Sequence, residues 1–112
     1  MRCTSKHRLA RRLRSLPIVE VAGRRVPVAS TRTARLLGLA LLARDAAGPG
    51  LLIPRCRSVH TFGMRFGLDV VFLNRDLAPV SIRRGLPFGR IAFDRRARSV
   101  LELPAGAWEA TA

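Results

Sequence analysis

The spacing of apolar residues divides the chain into elements. Leu9, Leu13 and Leu16 recur at intervals of four and three, which suits one face of a short helix. Pro17 ends that stretch. Ile18, Val19, Val21, Val26 and Val28 then flank Ala22-Gly23-Arg24-Arg25. β-branched runs about a glycine-containing turn predict a hairpin. Ser30 and Thr31 are N-cap candidates ahead of an Ala- and Leu-rich stretch. That stretch predicts the chain's one substantial helix, about 31–44, with Leu36, Leu37, Ala40 and Leu41 facing the core. Gly38 within it costs up to about 1 kcal/mol against Ala, which signals close backbone packing. Ala46-Ala47-Gly48-Pro49-Gly50 breaks the helix.

Beyond Gly50 the pattern is that of strands. Leu51-Leu52-Ile53 is a short apolar run stopped by Pro54, and Ser58 to Met64 alternates loosely. Val70-Val71-Phe72-Leu73 is continuously apolar, as expected of a strand covered on both faces. Asn74-Arg75-Asp76 turns the chain into Pro79-Val80-Ser81-Ile82. Arg83 to Arg90 carries two glycines and a proline and reads as a loop. Ser99 to Leu103 alternates cleanly, the signature of a half-buried strand, and Pro104-Ala105-Gly106 closes it. Short strands, frequent turns and one helix predict a mainly β fold: a compact antiparallel sandwich or jelly-roll-like small barrel.

Length and composition refine this picture. A chain of 112 residues with 48% hydrophobic content suits one globular domain. Residues 1–16 read as a mobile basic arm and 17–112 as the domain. Lys plus Arg is 21 against 7 acids, a net charge of +14, and Lys6 is the only lysine. Charge of this size favours anionic partners. Codon bias toward Arg, Ala, Gly and Leu accounts for the larger part of it. The arm, with Arg2, Lys6, Arg8, Arg11, Arg12 and Arg14, is the natural place for a weak anionic partner or a membrane surface. Aromatics are 5% with no tyrosine, so stacking platforms for single-stranded nucleic acid are thin, and no nucleic-acid-binding motif is present. No secretory signal or spanning segment is seen, and two cysteines make no disulfide framework, so the expected location is cytoplasmic.

Reactive side chains concentrate between Cys56 and Asp69. If Cys56 to Met64 is extended, Cys56, Ser58, His60, Phe62 and Met64 share one face. Thiol, imidazole and thioether suit copper. Residues four apart on one strand are nevertheless roughly 13 Å apart, and Cys-x3-His is not a standard zinc spacing. No metal and no cofactor is therefore expected. The ordinary alternative makes Phe62 and Met64 core residues and Cys56 a small buried filler. His60 as base and Asp69 as its orienter are the catalytic candidates, with Cys56 or Ser58 as nucleophile. A structural histidine is the more common arrangement. Asp69, at the mouth of the apolar strand, requires a partner; Arg65, Arg57 or backbone N–H groups are candidates. No phosphate loop, dinucleotide fingerprint or nucleophile elbow occurs.

Four blocks carry a resemblance: Ala34-Arg35-Leu36-Leu37-Gly38-Leu39, Gly50-Leu51-Leu52-Ile53-Pro54, His60 to Leu73, and Val100-Leu101-Glu102-Leu103-Pro104-Ala105-Gly106. Together they resemble domain of unknown function 192 over residues 18 to about 108, in its variant with His60-Thr61-Phe62-Gly63-Met64. Gly67 stands where that variant has proline, and the Trp and Asn of another family variant are missing. The resemblance implies a compact mainly β fold with one helix and implies no activity. The expectation is a non-catalytic or small-ligand- or partner-binding domain, with any site lined by Cys56, His60, Met64, Arg65 and Asp69. The alternatives are an enzyme using His60 and Asp69, or an adaptor acting through the basic arm.

Overall fold

A computed structural model of the protein describes residues 11–40 and 47–108. The chain runs α1 (Arg11–Arg14), β1 (Ile18–Val21), β2 (Arg24–Pro27), α2 (Arg32–Leu37), β3 (Leu51–Pro54), β4 (Ser58–His60), β5 (Leu68–Leu73), β6 (Pro79–Leu86), β7 (Ile91–Phe93) and β8 (Ser99–Pro104). The centre is a four-stranded antiparallel sheet in the order β3-β8-β5-β6. The fold is a mainly β, antiparallel sandwich. Its sheets remain open rather than closing into a barrel.

β5 and β8 are the inner strands, and every residue of both is buried. The apolar run of β5 is therefore covered on both faces, as its pattern predicts. β8 differs from expectation. Its alternating pattern suggested one wet face, yet Glu102 is only 4% exposed. The second face is covered by elements distant in sequence, which periodicity cannot report.

The two faces of this sheet bury different partners. Leu52, Val71, Leu73, Leu101 and Leu103 pack against Val21 and Val26 of the β1–β2 hairpin. This hairpin has a two-residue turn at Ala22-Gly23. On the other face Ile53, Leu68, Val70, Phe72 and Val100 meet Leu13, Leu16, Ala34, Leu39, Val59 and Ala92. That layer consists of α1, α2 and a second two-stranded sheet, β4–β7. Leu13 and Leu16 thus belong to the core, and the packed body begins before Pro17. Residues 1–10, with Arg2, Lys6 and Arg8, lie outside the described residues.

α2 is shorter than the predicted 31–44. Thr31 caps it, its hydroxyl accepting from the Ala34 N–H at 3.1 Å. It ends at Gly38, where φ is 56° and ψ is −128°. A Cβ there would lie 2.7 Å from Oε1 of Glu102, so the close packing expected of this glycine is present and it also stops the helix. Leu36 consequently faces solvent, 72% exposed, and Leu37 is half-buried. Leu39 and Ala40 take the core positions; Leu41 lies outside the described residues.

Two further corrections concern β6 and β7. β6 continues through Arg83 to Leu86, where a loop was expected, with register shifts that accommodate the irregular pairing. β7 pairs with β4, His60 opposite Ile91 and Ser58 opposite Phe93. Three residues of Ile-Ala-Phe are too few to display a period. Among the described residues no helix is long and apolar enough to cross a membrane.

Candidate functional site

The segment from Cys56 to Met64 is extended only from Ser58 to His60. Thr61 then turns inward and ends the alternation. It is fully buried. Its hydroxyl donates to the Pro87 carbonyl at 2.6 Å and accepts from the Arg90 N–H at 2.7 Å. Its own N–H donates to the Arg90 carbonyl at 2.8 Å. One threonine thus clamps the turn after β4 to the loop before β7. Gly63, at φ 81°, carries the turn, and Met64 drops into the core at 7% exposure.

Met64 therefore does not share a face with His60, and the five-residue line of the extended reading is broken. Met64 fills the core, one of the two roles weighed for it. Phe62 does not: it is 48% exposed, its ring stacked on that of His60 at 5.4 Å between centroids and 26° between planes. Thr61, Gly63 and Met64 are thus explained by folding. His60 and Phe62 are not, because both face solvent.

Asp69 has a structural role. It is 1% exposed. One oxygen accepts from the Gly85 N–H at 2.9 Å, the other from Gly106 at 2.9 Å and Trp108 at 3.2 Å. These backbone groups, rather than Arg65 or Arg57, are the hydrogen-bond partners that its position demanded. The carboxylate ties the end of β6 and the turn after β8 to β5. Asp69 pairs in register with Leu103, on the hairpin side of the sheet. No hydrogen bond joins it to His60 among the described residues, and the dyad of the catalytic alternative is not assembled.

His60 instead reaches a cleft of about 230 Å³ on the opposite side of the sheet, lined by Arg35, Gly38, Ile53, Cys56, Ser58 and Glu102 among others. Glu102 lies at its buried end, its Oε1 accepting from the Leu39 N–H at 3.2 Å. The cleft continues past Cys56 in two directions. One hollow is lined by Arg32, Arg35 and Leu36, the other by Arg55, Arg57 and Arg98. Cys56 is half-buried at the junction. It is a free thiol that donates to the Ser58 carbonyl at 3.0 Å.

Five arginines from three parts of the chain thus converge on Cys56. Their positions are set by the backbone. Arg35 donates to the Pro54 carbonyl, and Arg57 Nε donates to the Ala97 carbonyl at 3.1 Å. Arg55 adopts φ 50°, an uncommon conformation for a residue with a Cβ. A guanidinium has five N–H donors, so one anchoring bond leaves others for an anion. Arg65 is exposed and lines none of these hollows. No group of three or more His, Cys, Asp and Glu able to hold a metal lies together among the described residues. The arginine convergence was not foreseen; only Arg55 and Arg57, flanking Cys56 in sequence, hinted at it.

The model of the family DUF192, Uncharacterized ACR, matches residues 18–112, so the chain belongs to that family. No curated protein matches it. The crystal structure of a protein of unknown function from Novosphingobium aromaticivorans DSM 12444 is similar, with TM-score 0.64 at 17% identity over 99% of this chain and 92% of that one. A "putative transcription regulator" from Sinorhizobium meliloti 1021 has TM-score 0.60 at 23% identity over 83% of this chain and 81% of that one. At these identities the likeness concerns the fold.

Proposed function

We propose that this DUF192 member is a non-catalytic binding domain, and that its site is the arginine-rimmed cleft at Cys56, built for an anionic ligand. The observation that carries this reading is the placement of Arg32 and Arg35 along one hollow and of Arg55, Arg57 and Arg98 along another, both bordered by Cys56. Guanidinium groups take carboxylate or phosphate oxygens bidentately, and several around one hollow reinforce one another. The use of both Asp69 oxygens by backbone N–H groups supports a binding role over acid–base catalysis. A cytoplasmic location accompanies this reading, supported by the free thiol of Cys56.

Calorimetric titration with inorganic phosphate at low salt tests it. Saturable binding is expected. Arg55→Gln together with Arg98→Gln should weaken it at least about tenfold, the loss of one to two charge-assisted hydrogen bonds. Both side chains are exposed, so thermal unfolding should be nearly unchanged. Affinity unaltered by the pair of substitutions would refute the cleft as the site.

A further inference from the structure

The outer face of β4–β7 is unusual for a soluble domain. Both strands bury only their central residues, Val59 and Ala92. Their outward residues are Ser58 and His60 on β4, Ile91 and Phe93 on β7. Ile91 is 69% exposed and Phe93 56%. Phe62 and Phe88, in the two loops joined by Thr61, extend the surface, Phe88 at 66% exposure. Three of the five phenylalanines in the protein therefore face solvent in one neighbourhood, in a chain where composition alone suggested thin stacking platforms. Exposed apolar side chains gathered in this way mark an interaction site.

We propose that this face stacks the bases of single-stranded nucleic acid, its phosphates running into the arginine cleft. The inference rests on the anion-binding reading and names its partner. Aromatic and imidazole rings on a sheet surface stack unpaired bases, whereas a duplex hides its base faces. The His60–Phe62 pair presents two stacked rings already in place. Ser58 and His60 join this surface directly to the cleft, which they also line. Arg57 and Arg90, next in sequence to β4 and β7, and Arg65 and Arg95, within three residues of Phe62 and Phe93, are exposed and match the charge of a phosphate backbone. The arrangement favours a nucleic acid over a lipid surface. Polar Ser58 and His60 stand opposite Phe93 and Ile91, whereas membrane insertion wants an unbroken apolar face. α2, six residues long, offers little for a major groove, so duplex reading is not supported.

The test uses the full chain and fluorescence anisotropy of a labelled oligodeoxythymidine, a duplex of equal length, and anionic phosphatidylserine vesicles. The single strand should bind more tightly than the duplex or the vesicles. Phe62→Ala and Phe93→Ala should each weaken it by about fivefold to a hundredfold, and Phe93→Tyr should retain binding, because the ring is kept. The logarithm of affinity should fall linearly with the logarithm of salt, by roughly 0.7 per phosphate contacted. If the two alanine variants bind the single strand as well as the parent, or if vesicles bind better, the proposal fails. Phosphate binding sensitive to Arg55→Gln and Arg98→Gln would then leave the cleft reading standing. No phosphate binding by the parent chain would remove both.

Discussion

Asp69 shows how a single side chain can look catalytic and be structural. Two carboxylate oxygens collect three backbone N–H groups, one from the end of β6 and two from the turn after β8. Asp69→Ala would remove three part-buried hydrogen bonds to a charged acceptor, at about 1–3 kcal/mol each. Urea denaturation should therefore show a loss of about 3 kcal/mol or more; a loss below about 1 kcal/mol would mean that water or other groups replace the carboxylate. An acid ahead of an apolar run announces in sequence that it needs a partner. Which partner it finds is decided by Gly85, Gly106 and Trp108, far along the chain. The same holds for the His60–Met64 block. Met64 as a core residue was readable from its chemistry. The exposure of Phe62 was not, because the inward turn of Thr61 depends on Pro87 and Arg90.

Elements that draw on neighbours in sequence were legible, and those completed from a distance were not. The β1–β2 hairpin and β5 follow from local pattern. α2 was overextended because Gly38 answers to Glu102 across the core. β7 has no local signature, because β4, thirty-odd residues earlier, makes it a strand. The connection from β7 to β8 is held by Asp94. Its oxygens accept from the Arg96 guanidinium at 2.8 and 3.1 Å, the Arg96 N–H at 2.9 Å and the Ser81 hydroxyl at 2.6 Å. Arg96 also donates to the Val80 carbonyl at 3.2 Å, so this corner is fixed to β6. The Arg96 side-chain hydrogen bond, then the Ser81 hydroxyl, hold the Asp94 carboxyl far below the usual carboxylate range. The folded state thus binds this proton less readily than the unfolded chain, whose aspartates titrate near about 3.9. The stabilisation is present above about pH 4 and is lost as pH falls below it. Asp94→Asn should flatten the decline in stability between about pH 4 and pH 2 and lower stability at neutral pH. Parallel acid-unfolding curves for parent and variant would contradict this.

At the scale of the molecule, the central sheet separates scaffold from surface. The hairpin side holds Asp69 and a buried apolar layer. The other side carries α2, β4 and β7, and there the exposed groups gather around Cys56 and His60. The sequence blocks that mark the family serve both sides. Thr61, Met64, Asp69 and Glu102 build the scaffold, whereas Arg35, His60 and Phe62 reach solvent or the cleft. Composition reported the arginine excess without location. Only the three-dimensional path brings Arg32, Arg35, Arg55, Arg57 and Arg98 together. Amide chemical-shift mapping of the full chain, titrated with oligodeoxythymidine, tests this division most directly. The largest changes should fall at Arg35, Cys56, Arg57, His60, Phe62, Ile91 and Phe93, with β1–β2 silent. Changes concentrated on the hairpin or on Arg11–Arg14, with the Cys56 cleft unmoved, would contradict it.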